Sequence, residues 1–240
     1  MTLSEIVHHR RSVRKFDQVH PFDHEAVTHA LELAILAANS SNLQTWEFYR
    51  LRDKEKIKHM VPLCLKQNAA RSASELVLFV CRKDLWRSRT KWHLDNIHRE
   101  IKEGKGDESR HKKGIRYYGT SIPYLYRNDI FFLHTLVRKF NLLFKHLTGK
   151  PFLNWTSSSD TRVVTHKSLA LAAANFMLSM TDQGYDTCPM EGFDEFKVKR
   201  FLKLPSTVEI GMIVACGKGL PEGIYTERRR LEYHDVVHEL

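Results

Sequence analysis

Cysteine is scarce in this sequence of 240 residues, and long apolar runs are absent. The four cysteines form no Cys-x-x-Cys pair. Their number and spacing argue against a zinc ribbon and against a secreted disulfide framework, so we expect buried free thiols. No apolar stretch approaches the ~18 residues that a membrane-spanning helix needs, and Glu5 stands where a signal peptide is basic. We therefore expect a cytoplasmic protein with no membrane partner.

Several catalytic and cofactor-binding signatures are also missing. The sequence has neither the Gly-x-Ser-x-Gly elbow of many hydrolases nor the His-Glu-x-x-His motif of zinc proteases. Residues 217–223 contain three glycines, but the third comes one residue late for a dinucleotide-binding loop. The chain also ends too soon after them to complete a βαβ unit. The fourteen histidines show no metal-ligand spacing, so we expect no metal site.

Positive charge is the property that this chain has in excess. It contains 38 lysines and arginines against 28 acidic residues, which gives a net charge of +10. Its 42% of hydrophobic residues suit one globular domain spanning residues 1–240. A basic balance of this size indicates either a surface that binds a polyanion or a pocket for a small anionic ligand.

Apolar spacing predicts a chain with more helix than strand. Strands are predicted at residues 46–51, 75–81 and 208–215, and helices at residues 24–38, 53–63, 167–184 and 193–204. The helix at 167–184 has almost no polar face, so we expect it to be central and buried. Strand signals vanish over residues 83–165, which predicts a helical insertion. Within it, a 3-4-3-4-3 spacing predicts a long amphipathic helix, carried by Ile130, Leu133, Val137, Phe140, Phe144 and Leu147.

A dense basic cluster near the start of the chain is the first candidate site. Residues 9–16 combine three arginines, Lys15 and Ser12 within two turns of chain. Arginine donates two parallel hydrogen bonds to phosphate oxygens, and a serine hydroxyl adds a third donor. The cluster therefore suits a phosphate, although a solvated basic turn or a polyanion-binding arm has the same composition.

Four segments, taken in order, resemble the FMN-dependent nitroreductase family. They are residues 10–17, 37–48, 189–194 and the C-terminal stretch 228–238. The resemblance covers residues 1–82 and 165–240 and leaves the insertion outside. It implies an α+β fold with a central mixed, mostly antiparallel sheet flanked by helices, and an intertwined homodimer. The family often has Pro-Ser in place of Ala38-Asn39 and proline in place of Thr45.

The resemblance also implies which residues bind FMN. The phosphate would be bound by basic and hydroxyl side chains from both ends of the chain, namely Arg10, Arg11, Ser12, Arg14, Arg228 and Arg230. The flavin ring and ribityl chain would be contacted by polar groups of the partner subunit, namely Asn39, Ser40, Ser41 and Asn42. One face of the ring would be covered by Pro189, Met190, Glu191 and Gly192, with a backbone N–H near Glu191 or Gly192 donating to flavin N5. Gln67 is a further candidate for a polar contact to the cofactor.

The activity implied by the resemblance proceeds in two half-reactions through one pocket. NADH or NADPH would give a hydride to FMN, and an oxidised acceptor such as a nitroaromatic, quinone or enone would then enter. A nicotinamide that stacks only transiently on a flavin needs no Rossmann motif. Two alternatives remain: a flavin-binding protein of the same fold with a different or no NAD(P)H-driven reaction, and a basic protein that binds nucleic acid or another polyanion.

Overall fold

A single four-stranded sheet forms the centre of the molecule. The computed structural model describes residues 1–127, 133–149 and 157–240. The strands, in the spatial order β1-β2-β4-β3, are β1 Trp46–Leu51, β2 Glu75–Cys81, β3 Asp186–Met190 and β4 Glu209–Gly217. All three strand pairs are antiparallel, and an isolated parallel bridge joins Ser12 to Thr187 beside β3. The α+β class and the mostly antiparallel sheet are confirmed.

Helices cover both faces of this sheet. The α-helices in the described residues are α1 Leu3–His9, α2 His24–Ala34, α3 Lys54–Leu63, α4 Asn68–Ser72, α5 Trp86–Lys102, α6 Glu108–Arg116, α7 Ile122–Tyr126, α8 Leu133–Leu147, α9 Ser158–Asp182, α10 Glu195–Leu202 and α11 Tyr233–Val236. Helices α2 and α9 contribute to the core on one face, and α3, α4 and α10 contribute to the core on the other. The sheet therefore separates two hydrophobic layers.

Strand β2 shows how the sequence builds these two layers. Its side chains alternate between faces because successive residues of a strand point in opposite directions. Leu76, Leu78 and Val80 pack into one layer. Val77 and Phe79 pack into the other. A strand buried on both faces reads as one continuous apolar run, and that pattern made β2 predictable.

Helix α9 begins earlier than the sequence pattern predicts and is only partly buried. Ser157 and Asp160 form a capping box, which starts the helix nine residues before the predicted position at 167. One face, including Ala172 and Phe176, is fully buried against the sheet. Leu171 on another face is half exposed. The expectation of full burial was therefore wrong for a single chain, because no element of the described chain covers that face.

One strand and one helix end also differ from the prediction. Strand β3 was missed because Asp186 and Pro189 are poor strand formers. Its position at the edge of the sheet tolerates proline. Helix α2 ends at Ala34 instead of residue 38, and the chain then tightens into a turn in which the Ala37 N–H donates to the Ala34 carbonyl at 3.1 Å.

The segment predicted as a helical insertion is mostly helical in its described part, with a turn at residues 103–107. Helices α5 to α8 occupy it, and a π-helical turn at Tyr117–Ser121 joins α6 to α7. The predicted amphipathic helix is α8, while Ile130, its first predicted residue, lies outside the described residues. Among the described helices, none is both long and apolar enough to cross a membrane.

Candidate anion-binding site

The N-terminal segment 11–17 lies between β3 and the loop that follows β4. The Val13 N–H donates to the Thr187 carbonyl at 3.1 Å, and the Arg14 N–H donates to the Gly223 carbonyl at 2.9 Å. On the same loop, the Leu220 N–H donates to the Lys15 carbonyl at 3.0 Å. Val13 and Phe16 are each only 2% exposed and fix the segment to the core. Because Val13 and Phe16 point into the core, the basic residues next to them in sequence point away from it.

Glycines at the end of β4 and in the loop after it allow this close approach. A Cβ at Gly217 would lie 2.8 Å from the Phe16 side chain, and a Cβ at Gly223 would lie 2.8 Å from the backbone of Lys15. A Cβ at Gly219 would lie 2.4 Å from the Asp186 carboxylate. The glycine-rich stretch that resembled an imperfect dinucleotide loop is therefore a packing surface for the N-terminal segment.

This packing brings the two ends of the chain together around one cavity. The cavity has a volume of about 270 Å³ and contains one acidic side chain, Glu227. Its wall includes Ser12 and Tyr225 together with six arginines, namely Arg10, Arg11, Arg14, Arg228, Arg229 and Arg230. Such an excess of guanidinium groups makes the cavity a site for an anion with several oxygens.

The pKa of Arg10 reflects how close the arginines of the cavity lie to one another. Burial lowers the pKa of Arg10, and the nearby charges of Arg228, Arg230 and Arg11 lower it further. Both causes disfavour the charged form of a guanidinium. A bound anion would offset this repulsion, so the cavity favours a negatively charged ligand.

Several of these arginines also make backbone contacts. Arg228 donates to the carbonyls of Val7, His8 and Arg10 at 3.2, 2.8 and 2.7 Å. These carbonyls lie at the C-terminal end of α1, where a cation also interacts favourably with the helix dipole. Arg228 therefore has a structural role at the cavity wall in addition to the charge that it contributes.

Arg11 and Arg14 are positioned by the last segment of the chain. Arg11 donates to the Thr226 carbonyl at 2.5 Å. The guanidinium carbon of Arg14 lies 5.2 Å from the centroid of the Tyr225 ring, within the range of a cation–π contact. Arg14 also donates to the Ser12 carbonyl at 3.3 Å. The basic N-terminal residues and the C-terminal segment thus position each other.

A chain of contacts connects the cavity to the other candidates for cofactor binding. The Tyr225 hydroxyl accepts a hydrogen bond from Asn68 at 2.8 Å. The neighbouring Gln67 donates to the Gly192 carbonyl at 2.7 Å. The two residues before Gln67, Leu65 and Lys66, have left-handed backbone conformations with φ of 53° and 57°. Such strain in residues other than glycine is concentrated at functional sites.

Asn68, which contacts the cavity wall through Tyr225, was missed by the sequence analysis. It stands beside Gln67, but its helix is only five residues long and carries no apolar periodicity that would predict it.

The predicted residues 189–192 are also reached by this chain of contacts. Pro189 and Met190 end β3, and the Met190 side chain is 2% exposed in the core, so only its backbone can face a ligand.

The predicted loop 39–42 packs against the helical insertion. It forms a short 3-10 turn over Ser40–Asn42, and Ser41 and Asn42 have positive φ of 58° and 48°. The insertion fixes this turn. The Ser41 hydroxyl is hydrogen-bonded to the Tyr117 hydroxyl at 2.7 Å, and His93 donates to the Asn42 carbonyl at 2.7 Å.

Within one described chain, Asn39, Ser40, Ser41 and Asn42 do not line the arginine cavity. The structure therefore brings together three of the four predicted segments: the N-terminal arginines, the C-terminal arginines, and residues 189–192 through Gln67.

The chain is an α+β protein with a helix-flanked sheet and an arginine-rich cavity formed by both ends of the chain. The model of the Nitroreductase family matches residues 7–218, and this chain belongs to that family. The protein DrgA of Synechocystis is 28% identical over 218 residues, which cover 91% of this chain and 84% of DrgA.

Two further comparisons agree with this assignment. MhqN of Bacillus subtilis carries a provisional name as an NAD(P)H nitroreductase. It is 25% identical over 98% of this chain and 96% of its own length. A protein of Exiguobacterium sibiricum solved in complex with FMN has the same fold, with a TM-score of 0.71. It is 18% identical, and the match covers all of this chain and 98% of that one.

Proposed function

We propose that this protein is an FMN-dependent oxidoreductase that takes a hydride from NADH or NADPH and passes it to an oxidised acceptor such as a nitroaromatic, quinone or enone. The observation that carries the proposal is the cavity in which arginines from both ends of the chain surround one space. Family membership supports a flavin reaction, and the FMN bound to the Exiguobacterium sibiricum protein supports the choice of flavin.

The chemistry of the cavity suits a phosphomonoester. Each charge-assisted hydrogen bond to a phosphate oxygen contributes about 1.5 to 3 kcal/mol where water is partly excluded. Arg10, Arg14 and the Ser12 hydroxyl are the donors assigned to the phosphate. Arg228 contributes charge while it fixes the end of α1 through the carbonyls described above.

The remaining segments would position the rest of the cofactor. When bound, FMN supplies a ring that accepts a hydride and releases electrons to an acceptor. Gln67 is anchored by the Gly192 carbonyl and orders the backbone after β3, where an N–H of Glu191 or Gly192 would donate to the ring. Backbone donors fixed before the reaction stabilise developing charge without reorganisation. In this arrangement the arginines of the cavity contact the phosphate end of FMN and not its ring.

A homodimer is part of the proposal. Val163 and Leu171 on α9 are about half exposed, as is Val236 near the C-terminus, and Leu231 and Tyr233 are more exposed still. Exposed apolar side chains become an interface where a partner covers them as one patch. We infer that the partner subunit covers them and presents its own Asn39–Asn42 turn to the flavin.

The decisive experiment is an FMN titration of the purified protein, followed by flavin absorbance before and after anaerobic NADPH or NADH. We expect FMN binding and bleaching of the oxidised spectrum. Arg14→Ala should weaken FMN binding at least tenfold, about 1.4 kcal/mol. Arg200→Ala, which removes an exposed arginine from α10, is the matched control and should leave FMN affinity unchanged.

A preparation that neither contains nor binds FMN would refute the proposal. Binding of FMN without reduction by either nicotinamide would instead support a flavin-binding protein with another reaction. Equal weakening by both arginine substitutions would show that overall charge, and not the cavity, governs binding. Strong binding to duplex DNA with a steep salt dependence would favour the polyanion alternative.

A further inference from the structure

A second cavity lies between α3, α4 and the segment that precedes α2. Its volume is about 850 Å³, and among the described residues it shares none of its lining with the arginine cavity. The Gln18 side chain donates to the Arg71 carbonyl at 3.4 Å and so joins two of its walls. Cavities of roughly 300 to 1,000 Å³ hold small organic ligands. We refer to this space as the α3 cavity.

Basic side chains dominate the charged part of its wall. Among the described residues, Glu55 is the one acidic side chain there, against five lysines and arginines, namely Arg52, Lys54, Lys58, Lys66 and Arg71. Lys58 lies 3.9 Å from Glu55, but both side chains are exposed, and such pairs contribute little. Lys54, Lys66 and Arg71 form no ion pair within the described part of the chain. The α3 cavity therefore carries positive charge that its own carboxylate does not neutralise.

The buried carboxylate behind this wall does not neutralise it either. Glu75 is fully buried, accepts a hydrogen bond from Arg50 at 2.5 Å and is hydrogen-bonded to His24 at 2.6 Å. Arg52 lies further from the same carboxylate, at 3.8 Å, and its side chain is 46% exposed. Because both oxygens of Glu75 already have closer partners, the charge of Arg52 stays available to a ligand in the cavity.

Apolar side chains form another part of the wall, namely Val19, Pro21, Phe22, Ile57, Val61 and Pro62. On α3, Lys54, Lys58 and Val61 lie at intervals of four and three residues, so they share one face of the helix. Phe22 is half-buried, and its ring meets that of Tyr185 edge-on, with centroids 4.8 Å apart. Cationic and apolar groups therefore lie side by side around one space.

We propose that the α3 cavity binds an organic carboxylate with an apolar body, at a site separate from the one assigned to FMN. The carboxylate would pair with the lysines and arginines, and the apolar body would cover Phe22 and Val61. An uncharged apolar ligand would displace water from the cations without replacing its hydrogen bonds. An inorganic anion would gain nothing from the apolar part of the wall. A ligand with both parts uses the whole wall.

The α3 cavity lies apart from the surface of α9 that we assign to the homodimer. Val163 and Leu171 are on α9, which packs into the same layer as α2. Ile57 and Ala73 of the cavity wall belong to the hydrophobic layer on the other face of the sheet. A homodimer that buries the exposed face of α9 therefore does not by itself cover the α3 cavity.

The test is isothermal titration calorimetry of the full-length protein, in excess FMN, with octanoate and with its uncharged counterpart octanamide. We expect one octanoate per chain, bound at least about fivefold more tightly than octanamide, with an affinity that decreases with salt. Lys54→Gln with Arg71→Gln should weaken octanoate binding at least about fivefold. Val61→Glu, which adds a carboxylate to the wall, should weaken it at least about tenfold. Lys197→Gln with Arg200→Gln removes two exposed cations from α10 and should leave it unchanged.

Two further measurements verify where octanoate binds. Arg14→Ala should leave the octanoate affinity unchanged, and the flavin absorbance should stay constant during the titration. A loss of affinity in Arg14→Ala, or a flavin spectrum that shifts as octanoate binds, would place the probe in the FMN site and overturn the proposal. Equal affinities for octanoate and octanamide would also overturn it, as would the absence of saturable binding. Circular dichroism and the urea midpoint of each variant verify that weaker binding does not result from unfolding.

Discussion

Substitution of Gly223 by alanine tests whether the N-terminal segment is positioned by the close packing described above. The new Cβ would lie 2.7 Å from Cγ1 of Val13 and 2.8 Å from both the N and the O of Lys15. Val13 is buried and Lys15 presents backbone, so neither can move without displacing the segment that carries Arg14. Overpacking of this kind costs about 1 to 3 kcal/mol.

We expect Gly223→Ala to lower the free energy of unfolding by that amount in urea denaturation and to weaken FMN binding in a fluorescence titration. Displacement of one charge-assisted contact would account for a loss of about tenfold. Gly119→Ala is the matched control, because a Cβ there meets no atom within 4 Å. An unchanged denaturation midpoint and an unchanged FMN affinity for Gly223→Ala would refute the argument that this contact positions the arginines.

Two other predictions concern buried charge and buried thiols. Glu75 is fully buried and accepts a 2.5 Å hydrogen bond from Nε of Arg50, so Arg50→Met should destabilise the protein by about 3 to 5 kcal/mol in thermal or chemical denaturation. Arg52→Met, which removes a half-exposed group 3.8 Å away, should cost less than about 1 kcal/mol, and equal effects would contradict the argument. Burial raises the pKa of Cys64 to about 11 and that of Cys81 to about 12, and it also raises the pKa of Cys188 and Cys216. The folded protein should therefore react with a thiol reagent far more slowly than the denatured protein, which should titrate four thiols, and rapid labelling of the native state would show that this burial is wrong.

Strands with strong local signals could be predicted from the sequence, and strands that depend on tertiary pairing could not. β1 and β2 are runs of aromatic and branched residues, and their predicted bounds agree with the structure. β3 contains Asp186 and Pro189 and forms because β4 offers it an edge. The ion pair of Glu75 with Arg50 and its hydrogen bond with His24 were likewise unpredictable, because they join residues 25 and 51 positions apart.

The candidate site divides in a similar way. The basic character of residues 10–14 and 228–230 is visible in the sequence, and the resemblance to the nitroreductase family assigned both to one phosphate. The structure places them around one cavity, while their role in binding FMN stays a prediction. Arg228 shows what the pattern could not reveal, because its contacts to the end of α1 depend on where the folded C-terminal segment lies.

The convergence of the two chain ends also determines when a ligand site can exist. Arg14 is synthesised more than two hundred residues before the opposing wall of the cavity, which includes Arg228 and Arg230. The cavity can therefore form only after that wall has been synthesised and has packed against the N-terminal segment. An anion bound there would join residues 10–14 to residues 225–230, so local unfolding of either segment would release it.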